Sequence, residues 1–278
     1  MSVLLFTLII LVGAYFAGLL GSLTGLGGGV VIIPLLTLLL GVDIHYAIGA
    51  SLVSVIATSS GSAAAYVKEG ITNIRLGMFL EIATTIGALT GALLAVYIPT
   101  QYIAIIFGLI LIFSAAMSLR KKALQIVTEP GYLATKLKLS GSYPQANGVV
   151  NYSVTRVGGG FFMMMFAGVI SGLLGIGSGA LKVVAMDGIM RIPFKVSTTT
   201  SNFMIGVTAA ASAVVYLQRG YIDPGLSMPV VIGVLLGAMT GSKILVNTGS
   251  SRWLRWVFAV VVTFLAGQMI YNGVTGKI

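Results

Sequence analysis

Cysteine is absent from the 278 residues and histidine occurs once. Disulfides, thiolate metal sites and cysteine nucleophiles are therefore excluded, and so is a multi-histidine metal cluster. Charge is scarce as well: 8% of residues are charged, against about 25% in an ordinary soluble domain. Sixteen Lys+Arg and six Asp+Glu cannot solvate the surface of a soluble protein of this length. A soluble enzyme, a disordered chain and a nucleic-acid binder are thereby ruled out. What is abundant is apolar: 57% of residues are hydrophobic and the mean hydropathy is +1.06. The composition is that of an all-α, polytopic integral membrane protein in a lipid bilayer. The net charge of +10 then marks cytoplasmic loops rather than a nucleic-acid partner.

Ten apolar segments follow one another, roughly Ser2–Thr24, Val30–Leu40, Ala47–Val67, Ile74–Ile98, Gln101–Leu119, Gly158–Leu174, Ala180–Met190, Val196–Leu217, Leu226–Val246 and Trp253–Tyr271. The first has no basic residue before it and no small-residue cleavage site, so it is expected to be a retained span, not a cleaved signal. The second and seventh are too short to cross a bilayer alone, since a span needs about 17–25 residues. Each follows a glycine cluster and is expected to be a half-helix or return arm. The long polar stretch Arg120–Arg156 carries Arg120, Lys121, Lys122, Lys136, Lys138 and Arg156, with turn formers Pro130, Gly131, Gly141 and Pro144. It is expected to be a cytoplasmic loop, with a short strand within Val149–Val157.

Displaced by 150 positions, the sequence matches itself without a gap. Phe16-Ala17-Gly18 lies over Phe166-Ala167-Gly168. Gly25, Gly27 and Gly29 lie over Gly175, Gly177 and Gly179. Ser51, Thr58, Ser62, Tyr66 and Gly70 lie over Ser201, Thr208, Ser212, Tyr216 and Gly220. Hydrophobic similarity alone would not keep these small and polar residues in register. The expected organisation is a first transmembrane repeat at 1–119, the basic cytoplasmic loop at 120–156 and a second repeat at 157–278. With five segments per repeat and each short segment returning to its own side, the repeats are inverted. Lys68, Arg75, the six loop cations, Arg191, Lys195, Arg252 and Arg255 then lie inside, against Arg219 and Lys277 outside. A parallel arrangement divides the cations less unevenly, so the positive-inside rule favours inversion.

The glycine clusters carry the chemistry. Gly25, Gly27, Gly28 and Gly29 form one hairpin tip; Gly175, Gly177, Ser178 and Gly179 form the other. Each precedes a short helix whose first N–H groups lack intrahelical partners and whose dipole attracts anions. Broken helices of this kind bind anionic substrates in transporters. Packing is the plainer role for glycine in membrane helices, and it is the one expected for Gly87/Gly91 and Gly237/Gly241. The spacing is no dinucleotide fingerprint, because no strand precedes it. Ser51, Ser201 and Asn202 follow the hairpins and offer hydrogen-bond donors to the same ion, or else bond helix carbonyls.

Four ionisable residues fall inside apolar segments: Glu81, Lys182, Asp187 and Lys243. Such residues are expensive in a bilayer and point to a pathway or an ion pair. Lys182 is a candidate to add positive charge at the second tip, or a partner for Glu81 or Asp187. Glu81 and Asp187 are the coupling candidates. Lys243 is expected to snorkel, Tyr66 and Tyr216 to anchor helix ends at the interface, and His45 to lie in an outer loop.

Phe16-Ala17-Gly18…Gly25-Leu26-Gly27-Gly28-Gly29, its copy Phe166-Ala167-Gly168…Gly175-Ile176-Gly177-Ser178-Gly179, and the following Gly49-Ala50-Ser51-Leu52 and Thr199-Thr200-Ser201-Asn202 resemble the sulfite exporter TauE/SafE family, also called the 4-toluene sulfonate uptake permease family. The resemblance covers nearly the whole chain. It implies a multi-pass transporter of the prokaryotic inner membrane for sulfite, sulfoacetate or related organosulfonates. The expected protein is a secondary transporter working by alternating access on an ion gradient, with no catalytic residue, no cofactor and no metal. Its partners are a small anion and the bilayer, with a homo-oligomer left open. The alternatives are a transporter of a cation or a non-sulfur anion and, further off, a non-transporting subunit or membrane enzyme.

Overall fold

The computed structural model describes residues 3–24, 28–119, 131–145, 148–248 and 252–277. Eight long helices alternate with two short arms and a small connecting unit. The first half holds α1 (Val3–Thr24), the short α2 (Gly29–Pro34) continued by a π-helical turn (Leu35–Leu39), then α3 (Ile44–Lys68), α4 (Ile74–Ala95) and α5 (Thr100–Leu119). The connection holds α6 (Tyr132–Lys136) and the antiparallel strands β1 (Gly141–Gln145) and β2 (Gly148–Tyr152). The second half repeats the first: α7 (Val157–Leu174), α8 (Gly179–Val183) with its π-helical turn (Val184–Ile189), α9 (Phe194–Gln218), α10 (Pro224–Thr248) and α11 (Arg252–Thr275). The first four corresponding pairs begin or end at positions 150 apart, as the self-match requires, and α11 begins two residues later than α5 displaced by 150. Pro34 has no N–H to close an α-helical bond, which favours the wider turn that follows it.

Six helices are long and apolar enough over their described residues to cross a bilayer. Their outward faces are hydrocarbon: Leu4, Leu8, Ile82, Leu109, Phe162, Leu217 and Leu236 are all exposed. In water such a belt would be an aggregation surface; in lipid it is the solvated face. The protein is a polytopic helical membrane protein.

Each arm folds back along the helix before it. The Thr155 N–H donates to the Met190 carbonyl at 3.2 Å, and Met190 packs on Gly160 of α7. In the first half Leu35 packs on Gly13 of α1. Each hairpin thus opens and closes at one end of the bundle. Around the hairpins α1 lies against α10, α4 against α7, α5 against α11 and α3 against α9. Glycine lets α4 and α7 touch backbone to backbone: a Cβ on Gly87 would meet the Met165 carbonyl, and one on Gly91 the Val169 carbonyl.

The ends of α3 and α9 are swapped. His45, in the first turn of α3, stacks on Tyr221 just past the end of α9, with ring centroids 4.9 Å apart. Asn73, which caps the start of α4, donates its N–H to Thr200 near the start of α9 at 3.1 Å. The two helices therefore run antiparallel. His45 is not in a loop: it is buried at a helix start, its Nε2 3.2 Å from the Ala95 carbonyl and its Nδ1 3.1 Å from Asp43. The His45 hydrogen bond holds the Asp43 carboxyl below its ordinary range.

The connection between the halves is docked. Ala134, Leu139, Tyr143, Tyr152 and Val154 are buried in one cluster with Leu76, Leu80, Met190 and Met204. The Asn73 side chain donates to the Leu139 carbonyl and to the Tyr152 hydroxyl, each at 2.8 Å. The expected strand is β2, part of a hairpin. Arg120, Lys121 and Lys122 lie outside the described residues.

Candidate functional site

The second glycine turn is built from three left-handed residues: Gly175 (φ 65°), Gly177 (φ 71°) and Ser178 (φ 44°). Two are glycine, for which this region is free of Cβ clash; the serine is held there against its preference. The turn ends α7 and starts α8, whose first closed helical bond runs from the Lys182 N–H to the Ser178 carbonyl at 3.1 Å. The amides of Gly179, Ala180 and Leu181 precede that bond. Gly175, Gly177, Ser178 and Gly179 are all buried.

The two turns meet where α3 crosses α9. A Cβ on Gly29 would lie 2.5 Å from Ser51 Oγ and 3.4 Å from the Gly175 carbonyl oxygen. Ser51 donates to that carbonyl at 2.9 Å, and Ser201 to the Gly179 carbonyl at 3.3 Å. Both hydroxyl protons are thus committed to holding the second turn. Gly28 and Gly29 are buried at the first turn, while Gly25 and Gly27 lie outside the described residues. Asn202 is half-buried on α9. Most other hydroxyls of this stretch return to helix carbonyls: Ser54 to Ser51, Thr198 to Phe194 and Thr199 to Lys195.

Beside the second turn is a cavity of about 10 Å³, bordered by Val30, Ile110, Ser114, Ser178, Gly179 and Leu181 among others. That is room for about one water. Ser178 Oγ is buried beside it with no hydrogen-bond partner. Ser114, on α5, was not evident from the sequence: it is one serine in an apolar helix, and only packing brings it here. A far larger crevice, about 790 Å³ between α1 and the first arm, is lined by Leu5, Leu8, Ile9, Val12, Gly13, Leu35, Leu39 and Leu40. Its walls offer an anion nothing.

Lys182 is fully buried but faces away from the cavity, which its neighbours line. Its Nζ donates to Thr208 Oγ1 on α9. Thr208 Oγ1 lies 2.7 Å from Glu81 Oε1 on α4, and Thr85 reaches the same oxygen at 3.4 Å. Glu81 Oε2 is buried without a partner. Of the roles open to Lys182, pairing with Glu81 is the one the geometry realises, through Thr208, which the sequence marks only as a repeated position. Asp187 is half-buried on the π-helical turn near the hairpin's open end. Tyr216 is no interfacial anchor: it is 1% exposed, and its hydroxyl donates to the Gly172 and Leu173 carbonyls at the end of α7, each 3.3 Å away. The side chains of Tyr66 and Lys243 lie outside the described residues.

The family model described as Sulfite exporter TauE/SafE matches residues 9–269, which takes in both hairpins and every long helix. The chain belongs to the sulfite exporter TauE/SafE family. Similar proteins include the probable membrane transporter protein YunE of Bacillus subtilis (strain 168), 28% identical over 97% of this chain and 98% of the relative. YdhB of the same organism, likewise a probable membrane transporter protein, is 28% identical over 85% of this chain and 89% of the relative. The probable membrane transporter protein MJ0441 of Methanocaldococcus jannaschii is 23% identical over 87% of this chain and 86% of the relative. No solved structure matches the chain. As a TauE/SafE protein similar to probable membrane transporters, the chain is a membrane transporter.

Proposed function

We propose that this protein is a secondary transporter of small sulfur-containing anions, such as sulfite, sulfoacetate or related organosulfonates, in the prokaryotic inner membrane. The observation that carries this reading is the second glycine turn. There an unpartnered buried hydroxyl, Ser178, and the first amides of an interrupted helix border one small cavity. Interrupted helices at bilayer depth present such donors to anions. Gly25, Gly27, Gly28 and Gly29 are the proposed counterpart of this site in the first repeat; Ser51, Ser201 and Asn202 support the site from α3 and α9.

The antiparallel course of α3 and α9 supports reading the halves as inverted repeats, with the basic 120–156 connection cytoplasmic. Alternating access follows from that symmetry: one repeat rocks against the other, and the cavity enlarges toward one side at a time. The chain acts without chemistry on its cargo, and an ion gradient supplies the energy, with Glu81 and Asp187 as coupling candidates. A cation as cargo fits less well, because Lys182 already holds a positive charge near the buried Glu81 carboxyl.

Purified protein in liposomes is expected to exchange labelled sulfoacetate, with sulfite competing and sulfate, phosphate and Na⁺ competing weakly. Competition by Na⁺ or phosphate in place of sulfite would overturn the reading.

A further inference from the structure

The repeat departs from its own pattern at a buried charged pair. Glu81, Lys182 and Thr208 correspond, 150 positions away, to Val231, Ile32 and Thr58. Around the first hairpin that trio is nearly apolar: Ile32 is fully buried, and the Thr58 hydroxyl returns to the Ser54 carbonyl of its own helix at 3.0 Å, as Thr208 does to Met204 at 2.9 Å. Around the second hairpin the same three positions hold a buried acid on α4, a buried base on α8 and a hydroxyl between them on α9. The cavity shares the asymmetry, since Ser114 and Ser178 correspond to Phe264, which is 64% exposed, and Gly28. Fold packing does not require the charges, because the other hairpin packs without them.

We propose that Glu81 carries the proton that accompanies the anion, making this transporter proton-coupled through one of its two quasi-equivalent half-sites. The inference rests on the anion reading above.

The argument is one of charge balance at depth. Around Glu81, α7 carries no ionisable side chain. The helix α9 carries only Lys195 in its first turn and Tyr216 near its other end. The arm contributes Lys182 and Asp187, and α4 itself Arg75. The nearest charged partner is Lys182, bridged by Thr208. With Glu81 ionised the pair is neutral. An anion entering the cavity beside Ser178, one helical turn from Lys182, would leave an uncompensated negative charge in a low-dielectric interior, which is costly. A proton added to Glu81 Oε2, the oxygen with no partner, converts the carboxylate to the acid. The Glu81–Lys182 pair then carries +1 and offsets a monovalent anion. Loss of the proton and the anion to the other side restores the neutral pair. One proton moves with one negative charge, and Lys182 stays an ammonium throughout.

Methanesulfonate, which stays ionised near neutral pH, is a clean probe because sulfite itself takes up protons. The full chain is reconstituted in liposomes with the membrane potential clamped by K⁺ and valinomycin. A pH gradient of about one unit is expected to drive about tenfold accumulation of methanesulfonate, with one proton entering per anion. In Glu81→Gln both accumulation and proton flux should disappear while labelled methanesulfonate still exchanges at a measurable rate. Should the amide variant fail to fold, Glu81→Asp is expected to keep coupling with a shifted pH midpoint. Wild-type exchange without proton flux, accumulation driven by Na⁺ instead, or wild-type proton stoichiometry in Glu81→Gln would each overturn the proposal and leave the anion reading standing. Absence of any methanesulfonate or sulfite exchange by the wild type would overturn both.

Discussion

Ser178 combines two costs that a purely structural residue would avoid. Its backbone is left-handed, which disfavours any residue with a Cβ by roughly 1–2 kcal/mol. Its hydroxyl is buried with no partner, a further penalty on the order of 1–3 kcal/mol. Glycine, present at the matching position 28, would remove both. Residues that break local rules in this way mark functional positions. Ser178→Gly is therefore expected to leave thermal stability unchanged or raised, while the half-saturating anion concentration rises by roughly tenfold or more, the worth of one hydrogen bond to a charge. A transport assay beside a melting curve in detergent checks the pair of signs. Falling stability with unaltered transport would make Ser178 a packing residue. The opposite lesson comes from Ser51 and Ser201. Both lie where the sequence places them, one helix after each hairpin, yet their protons are spent on carbonyls of the second turn. Sequence position names a hydroxyl but not its partner.

Among the elements, the helices and arms are legible because each is written in local terms: apolar length, a glycine cluster before a short run, a cap. The expected Val30–Leu40 and Ala180–Met190 segments coincide with α2 and α8 plus their π-helical turns to within a residue or two. The connection was harder. Its turn formers and cations read as a loop, but its few apolar side chains dock on the ends of α4 and α9. Asn73 is the clasp: its Oδ1 accepts the Leu76 N–H at 3.0 Å, and its amide donates to Leu139 and Tyr152. Asn73→Ala removes a helix cap worth about 1 kcal/mol and two further hydrogen bonds of similar size. We expect a stability loss of roughly 3 kcal/mol and faster protease cleavage within residues 131–157. Unchanged cleavage would mean that the apolar cluster alone holds the connection down.

For the whole molecule, the prediction concerns sidedness. Two halves in inverted orientation put the 120–156 connection and the link between α9 and α10 on opposite faces of the membrane. The absence of cysteine makes this directly measurable. Lys136→Cys and Arg219→Cys each introduce a single thiol, one on each link. In intact cells an impermeant maleimide is expected to label the Arg219→Cys protein, and to reach the Lys136→Cys protein only after the membrane is opened. Labelling of both from one side would remove inversion, and with it the symmetry on which alternating access rests.

Composition and local pattern were enough to place this chain in a bilayer, divide it into paired segments and find the 150-residue repeat. Those properties depend on the transfer of apolar side chains to lipid and on hydrogen bonds within each helix, both written along a few turns of chain. Which buried groups meet depends instead on how distant helices pack. Glu81, Thr208 and Lys182 are separated by many residues, and nothing in their spacing distinguishes the Lys182–Glu81 pair from Lys182–Asp187. The crossing of α3 and α9, the folding back of each arm and the close contact of α4 with α7 brought the three together and turned Lys182 away from the cavity.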